Sequence, residues 1–302
     1  MDSEALSTFV AVHRAGGFSA AADLLHRSQP AISRRIALLE AELRAPVFER
    51  VAGGVALSPM GQALLPRAER VLAALQDAAE VVGELRSGHA GPVAIAAVGT
   101  LAGGALTGVL RRFAAEFPRV ELSLRTATSD QVSDHVRRGE VTIGLRYYDD
   151  PGADLVCRAL PPERMTVICG PDHPLAGRTV ASLRDLKDER WLAFPRPDDR
   201  GEVSAGKIFA EFLVRDVARI DWTAIDSLTA QKRLAEAGFG IALLPDSAVA
   251  EERAGGSLAA IGVADLDALT PVSAVVRRDG YLSPAALALL AWLEGGDPAP
   301  AH

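Results

Sequence analysis

The chain is poor in the residues that carry covalent cross-links and most catalysis. It has two cysteines in 302 residues, Cys157 and Cys169, without CxxC spacing. That excludes a disulfide framework and a structural zinc site and leaves two buried free thiols as the expectation. The six histidines (13, 26, 89, 135, 173 and 302) are scattered, with no pair at metal-ligand spacing. Cys169 and His173 stand four apart, a spacing that suits a helix, yet "CGPDHP" has two prolines and reads as a turn. GxSxG, Walker A, HExxH and a strand-following GxGxxG are all missing, so no enzyme, metal or cofactor is expected.

Long apolar runs are missing as well. No stretch of about 18 uninterrupted apolar residues occurs, which argues against a membrane span. "MDSEALSTFVAVHRAGG" opens with two acids where an export signal carries positive charge, so the expected location is the cytoplasm. Positive charge is scarce too, with a net charge of -7 and a pI near 5.5. Such a balance argues against a nonspecific nucleic-acid coat and leaves a local basic surface open. Residues 1–87 hold nine Arg against ten Asp and Glu, a net of -1, so the remaining -6 falls in residues 88–302.

What is present is an ordinary globular composition, 49% hydrophobic and 24% charged, at a length that suggests two or three compact units. The first sixty residues read as short helices. Leu6, Phe9, Val10 and His13 recur at helical spacing and stop at Gly16 and Gly17. Ser19 stands as the N-cap of a second helix of two turns, and Ser28 as that of a third, with Pro30 in its first turn. Ile32, Ile36, Leu39 and Leu43 then give "AISRRIALLEAEL" one apolar face. Two helices joined by a short turn, the second with polar side chains at its N-terminal end, is the arrangement that puts a helix into the DNA major groove. Any three-helix bundle with arginines on its wet face shares that pattern, so periodicity alone leaves both readings open.

Ser58 could cap a long helix running to about residue 86. Leu64, Ala68, Val71, Leu75, Ala78, Val82 and Leu85 recur at alternating intervals of four and three along it, a heptad seam that favours pairing of two chains over one helix lying on its own domain. "SGHAGP", residues 87–92, breaks the helix as a hinge. Beyond it short strands alternate with helices, from "VAIAAV" through "VELSLR" and "VTIGLR" to "VSAVV", which predicts a parallel α/β sheet. "SPAALALLAWLEG" closes with a helix, and residues 296–302 read as a disordered tail.

"FVAVHRAGGFSAAADLLHRSQPAISRRIALLEAELRAPVFER", followed by "LSPMGQALLPRAERVL", closely resembles the winged helix-turn-helix of LysR-type transcriptional regulators. The resemblance implies that residues 1–58 bind DNA and 59–87 form the linker helix through which such regulators dimerise, with the hinge at 88–92. It makes Gln29, Pro30, Ser33 and Arg34 groove-facing, after the cap Ser28, and gives Ser19 and Arg35 phosphate contacts. Pro46, Phe48 and Arg50 match the segment entering the wing, where Arg50 joins the DNA-binding set. "VAGGVALSP" departs from the family there, since Gly54 and Ala56 stand where Arg or Lys is common, so a shallow salt dependence is expected.

Residues 93–295 resemble the family's effector-binding domain, which is similar to the type 2 periplasmic binding fold, through "RRGEVTIGL", "GPDHPLAG" and "AEAGFGIALLP". Two subdomains are implied, one of residues 93–161 and 267–294 and the other of 162–266, with a small-molecule effector between them. In such clefts ligands meet strand ends and helix N-termini. "GTLAGG" and "TATSD" therefore offer Thr100 as cap and donor, with Leu101, Thr126, Thr128 and Ser129, although Thr and Ser at helix starts are often only caps. Arg146 and Arg196 are candidates to pair with an anion, Phe194 and Ile225 to form apolar walls, and a small organic acid is the expected effector. By resemblance the protein is a homodimer or homotetramer on double-stranded DNA, with RNA polymerase left open as a partner and no membrane. The rival reading is a solute-binding protein, because residues 93–295 alone fit one.

Overall fold

The computed structural model describes residues 1–51, 54–87, 91–195 and 203–295, with the main chain only for residues 50, 84–87 and 203–207. The hinge glycines Gly88 and Gly91 are thus split, with residues 88–90 outside the described set, as are Arg196 and the tail 296–302. The chain divides into two compact units, one built on residues 1–88 and the other on most of 89–302.

In the first unit, α1 (Ser3–Ala15) starts where the Asp2 carboxylate accepts the Ala5 N–H at 2.7 Å and ends at Gly16, whose φ of 71° suits a residue without a side chain. The next helix, α2 (Phe18–Leu24), begins two residues earlier than expected. Gly17 holds its cap position with no side-chain bond, so Ser19 is not a cap but an exposed residue of the first turn. Ser28 does precede α3 (Gln29–Leu43), with Pro30 in the first turn, but its hydroxyl makes no capping bond. Ile32, Ile36 and Leu39 are buried beside Phe9, Val12 and Val47, so the four-three spacing of α3 becomes the floor of this core. The wing follows as an antiparallel hairpin of β1 (Phe48–Val51) and β2 (Gly54–Leu57). It is anchored by Phe48, whose ring lies 5.3 Å from that of Phe9 and 5.8 Å from that of Phe18.

Helix α4 (Pro59–Ser87) runs for 29 residues. Ser58 caps it as expected: its Oγ accepts the Gly61 N–H at 3.0 Å and donates to the Pro46 carbonyl at 2.6 Å. One buried hydroxyl thus ties the long helix to the turn before the wing. Ser58→Ala is expected to destabilise this unit by about 1 kcal/mol, read from urea unfolding followed by circular dichroism; an unchanged midpoint would show that the cap is dispensable.

The second unit contains β3 (Val93–Val98), α5 (Gly104–Glu116), β4 (Leu122–Ala127), α6 (Ser129–Arg137), β5 (Ile143–Tyr147) and the 15-residue β6 (Leu155–Cys169). It continues through β7 (Thr179–Val180), β8 (Arg190–Ala193), α7 (Val203–Leu213), β9 (Asp221–Ala224), α8 (Leu228–Glu236) and β10 (Ala242–Pro245). It closes with α9 (Asp246–Ala254), β11 (Ala259–Val263), β12 (Leu269–Arg277) and α10 (Pro284–Leu293), which Ser283 caps by accepting the Ala286 N–H. The main sheet runs β4-β3-β5-β12-β6-β11-β7, with β10 also on β6.

This sheet corrects the expectation of a purely parallel one. β3 pairs in parallel with β4 and β5, but β12 returns antiparallel to both β5 and β6. The long β6 explains the difference. Its first two-thirds pair with β12, and its last five residues pair with β10 and β11, so one strand passes through both halves of the unit. Each half has its own core. One is built on β3, β5 and β12 with Phe113 and Leu289 from the helices. The other surrounds Trp191, whose ring meets Phe212 edge-on at 5.3 Å and whose indole N–H donates to the Leu186 carbonyl. Two cores joined by crossing strands make a two-subdomain α/β domain.

Candidate functional site

The first candidate surface is the outer side of α3. Gln29, Pro30 and Arg34 are exposed and Ser33 is half-buried. Their i,i+4 spacing aligns Gln29 with Ser33, whose hydroxyl accepts a Gln29 Nε2 hydrogen at 2.8 Å, and Pro30 with Arg34. Arg34 has no ion pair or hydrogen bond among the described residues. Its neighbour behaves differently. Arg35 is turned about 100° round the helix, and its guanidinium reaches Glu4 at 2.8 Å and Asp2 at 3.4 Å. This arginine fastens α3 to the start of α1, and those ion pairs compete with the phosphate contact expected of it. Ser19, in the first turn of α2, and Ser28, just before α3, are both exposed, Gly54 and Ala56 leave β2 without a cation, and the Arg50 side chain lies outside the described residues.

The heptad seam divides in two. Leu64 is half-buried and Ala68 is 1% exposed, and both pack into the core of their own unit. Val71, Leu75 and Val82, by contrast, are 47%, 50% and 52% exposed, with Ala78 exposed between them. Leu64 and Ala68 are thus corrected to intramolecular packing, and the Leu85 side chain lies outside the described residues.

The second candidate is a cavity of about 430 Å³ within the α/β unit. It lies at the carboxyl ends of β3, β4 and β5, which supply Thr100, Thr126, Thr128 and Tyr147. The other half closes it with Phe194 after β8, Ser227 at the cap of α8, and Leu243 and Leu244 of β10. Thr270, on β12, completes the wall. Thr100 and Tyr147 join their hydroxyls at 2.8 Å. Burial holds the Tyr147 phenol protonated well above its ordinary range, against the opposing pull of that bond, so it acts as a neutral hydroxyl. Thr128 caps α6 in a reciprocal pair with Gln131: its Oγ1 accepts the Gln131 N–H at 3.3 Å while Gln131 Oε1 accepts the Thr128 N–H at 3.1 Å.

These two sites match known sequences over nearly the whole chain. The model described as a bacterial regulatory helix-turn-helix protein of the lysR family matches residues 3–62, and the LysR substrate binding domain matches residues 86–297. The chain belongs to the LysR family. The HTH-type transcriptional regulator TfdS of Cupriavidus pinatubonensis is 31% identical, covering 92% of this chain and 93% of that one. GltR of Bacillus subtilis is 26% identical over 96% of this chain and 95% of its own. Among solved structures, full-length CbnR in complex with its target DNA superposes with a TM-score of 0.66 at 25% identity, covering 98% of this chain and 99% of that one. This LysR-family chain is therefore a transcriptional regulator with a DNA-binding helix-turn-helix and an effector-binding domain, and not an enzyme.

Against that frame of family and fold, four of the effector candidates, Thr100, Thr126, Thr128 and Phe194, line the cavity. Thr100 does so from a 3-10 turn rather than as a helix cap, because Gly103 occupies the cap of α5. Leu101 belongs to the apolar core, and neither Ser129 nor Ile225 is among the lining residues. Arg146 is also corrected. It is 4% exposed, donates to Asp150 at 2.5 Å and Ser133 at 2.6 Å, and serves as a buried clamp away from the cavity. Gln131, Tyr147, Asp226, Ser227 and Thr270 are the polar lining residues that the sequence did not reveal. No helix among the described residues is long and apolar enough to cross a membrane.

Proposed function

We propose that this LysR-family regulator works in the cytoplasm as a homodimer, or a tetramer built from dimers, on a DNA site with dyad symmetry. The observation that carries the DNA-binding part is the cluster at the start of α3 of exposed Gln29, half-buried Ser33 and exposed Arg34, the last without a partner among the described residues. In the major groove, Arg meets guanine acceptors and Gln meets adenine edges, while Ser19 and Ser28 are placed for phosphate. The exposed seam of Val71, Leu75, Ala78 and Val82 is the surface for the second chain, which supplies the second half-site. RNA polymerase is a further partner consistent with a role in transcription.

A small molecule in the cavity biases one arrangement of the two subdomains and, through α4, the bound DNA. Such coupling requires different affinity for the two arrangements. A thermal-shift screen of metabolites tests the site, because a ligand of the folded state raises apparent stability. The double variant Thr100→Val with Thr128→Val is expected to abolish both the stabilisation and the ligand's effect on operator binding, while unliganded operator affinity stays nearly unchanged. A normal response in that variant would place the effector elsewhere.

A further inference from the structure

The hydrogen-bonding capacity left over in the cavity is uneven. Thr128 and Ser227 each accept a helix N–H, which leaves each hydroxyl its hydrogen and one lone pair. Gln131 accepts through Oε1 and keeps its amide NH2. The Thr100–Tyr147 pair leaves one hydroxyl hydrogen. Thr270 Oγ1, 2% exposed, has no partner among the described residues, an orphan that a buried hydroxyl does not tolerate without cost. Each of these groups can still donate a hydrogen, backed by the N-termini of α6 and α8, so together they suit a carboxylate.

Asp226 breaks that pattern. It stands just before α8, in the half of the domain that does not carry Thr100 and Thr128, and is the one charged side chain among the described lining residues. A carboxylate group only accepts. A simple organic acid would enter a cavity whose described charge repels it, and a simple amine would leave the donors unmatched. Met165, Phe194, Leu243 and Leu244 make the remaining wall apolar.

We infer that the cavity takes a zwitterionic α-amino acid with an apolar side chain, its carboxylate on the Thr128–Gln131 side and its ammonium at Asp226. This assignment rests on reading the cavity as the effector site. It makes Asp226 the residue that sets specificity, and it replaces the simple organic acid as the expected ligand class.

The test uses the full-length protein in thermal-shift and calorimetric titrations with three sets of probes at millimolar concentration. The sets are leucine, methionine and phenylalanine; the same skeletons without the amino group; and the same skeletons without the carboxylate. At least one amino acid is expected to bind, with both of its truncated relatives weaker by about tenfold or more. Asp226→Asn is expected to weaken that amino acid about tenfold and to narrow its advantage over the acid lacking the amino group. Equal binding of that acid, unchanged discrimination in Asp226→Asn, or no binding by any probe would each overturn the inference. An acid that binds alone and is lost in Thr100→Val with Thr128→Val removes only the amino acid. Probes that bind equally well in those variants remove the effector site itself.

Discussion

Arg34→Ala lowers operator affinity by about 1–3 kcal/mol, whereas Arg35→Ala costs less than about 1 kcal/mol of folding stability and little affinity. The contrast follows from where the two guanidinium groups go. Arg34 projects from the exposed face of α3 beside Gln29 and Ser33, without a protein partner among the described residues. Arg35 is held by Glu4 and Asp2, so its charge is already answered within the protein. Removing a phosphate contact weakens all DNA alike, whereas removing a base contact also relaxes sequence preference. Anisotropy titrations of both variants with operator and scrambled duplexes separate these outcomes. Equal losses in the two variants would show that the ion pairs of Arg35 open on DNA and that the assignment of roles is wrong.

Val71→Asp combined with Leu75→Asp is expected to convert the proposed dimer to monomer. Both side chains are about half exposed on a helix whose own domain no longer covers them, and two facing helices would bring four carboxylates into an apolar seam. Buried charges without partners are among the costliest substitutions an interface can receive. The choice of positions matters. Aspartate at Leu64 or Ala68 would disrupt the core that those residues share with α1 and α3, so lost dimerisation there would be uninformative. Light scattering is expected to give a mass near 31.7 kDa for the double variant. A mass of at least twice that, with the fold intact, would remove the seam from the interface.

Much of this architecture was legible because it is local. The α3 face, the Ser58 cap and the strand-helix alternation each follow from residues a few positions apart, and all three appear in the structure. The cavity was half legible for the opposite reason. Thr126 and Thr128 sit at a strand-helix junction that the sequence displays, but Thr270 arrives by strand pairing with Glu163, more than a hundred residues away. The confusion of Arg146 with Tyr147 has a sharper cause. Neighbours on a strand point to opposite faces, and β5 is buried on both, so no polar-apolar alternation marks which residue faces the cavity. The seam misled at Leu64 and Ala68 because a four-three repeat looks the same against its own domain as against a second chain.

Sequence-specific binding by α3, modulated by a ligand in the cavity, is what every other property of this regulator serves. A mobility-shift titration of the full-length protein on DNA flanking its own gene, against scrambled DNA of equal length and across a salt series, tests it most directly. A selective complex is expected, one that Arg34→Ala weakens and that the cavity ligand alters in affinity or mobility. Equal binding to both DNAs, vanishing together as salt rises and indifferent to Arg34→Ala, would contradict it.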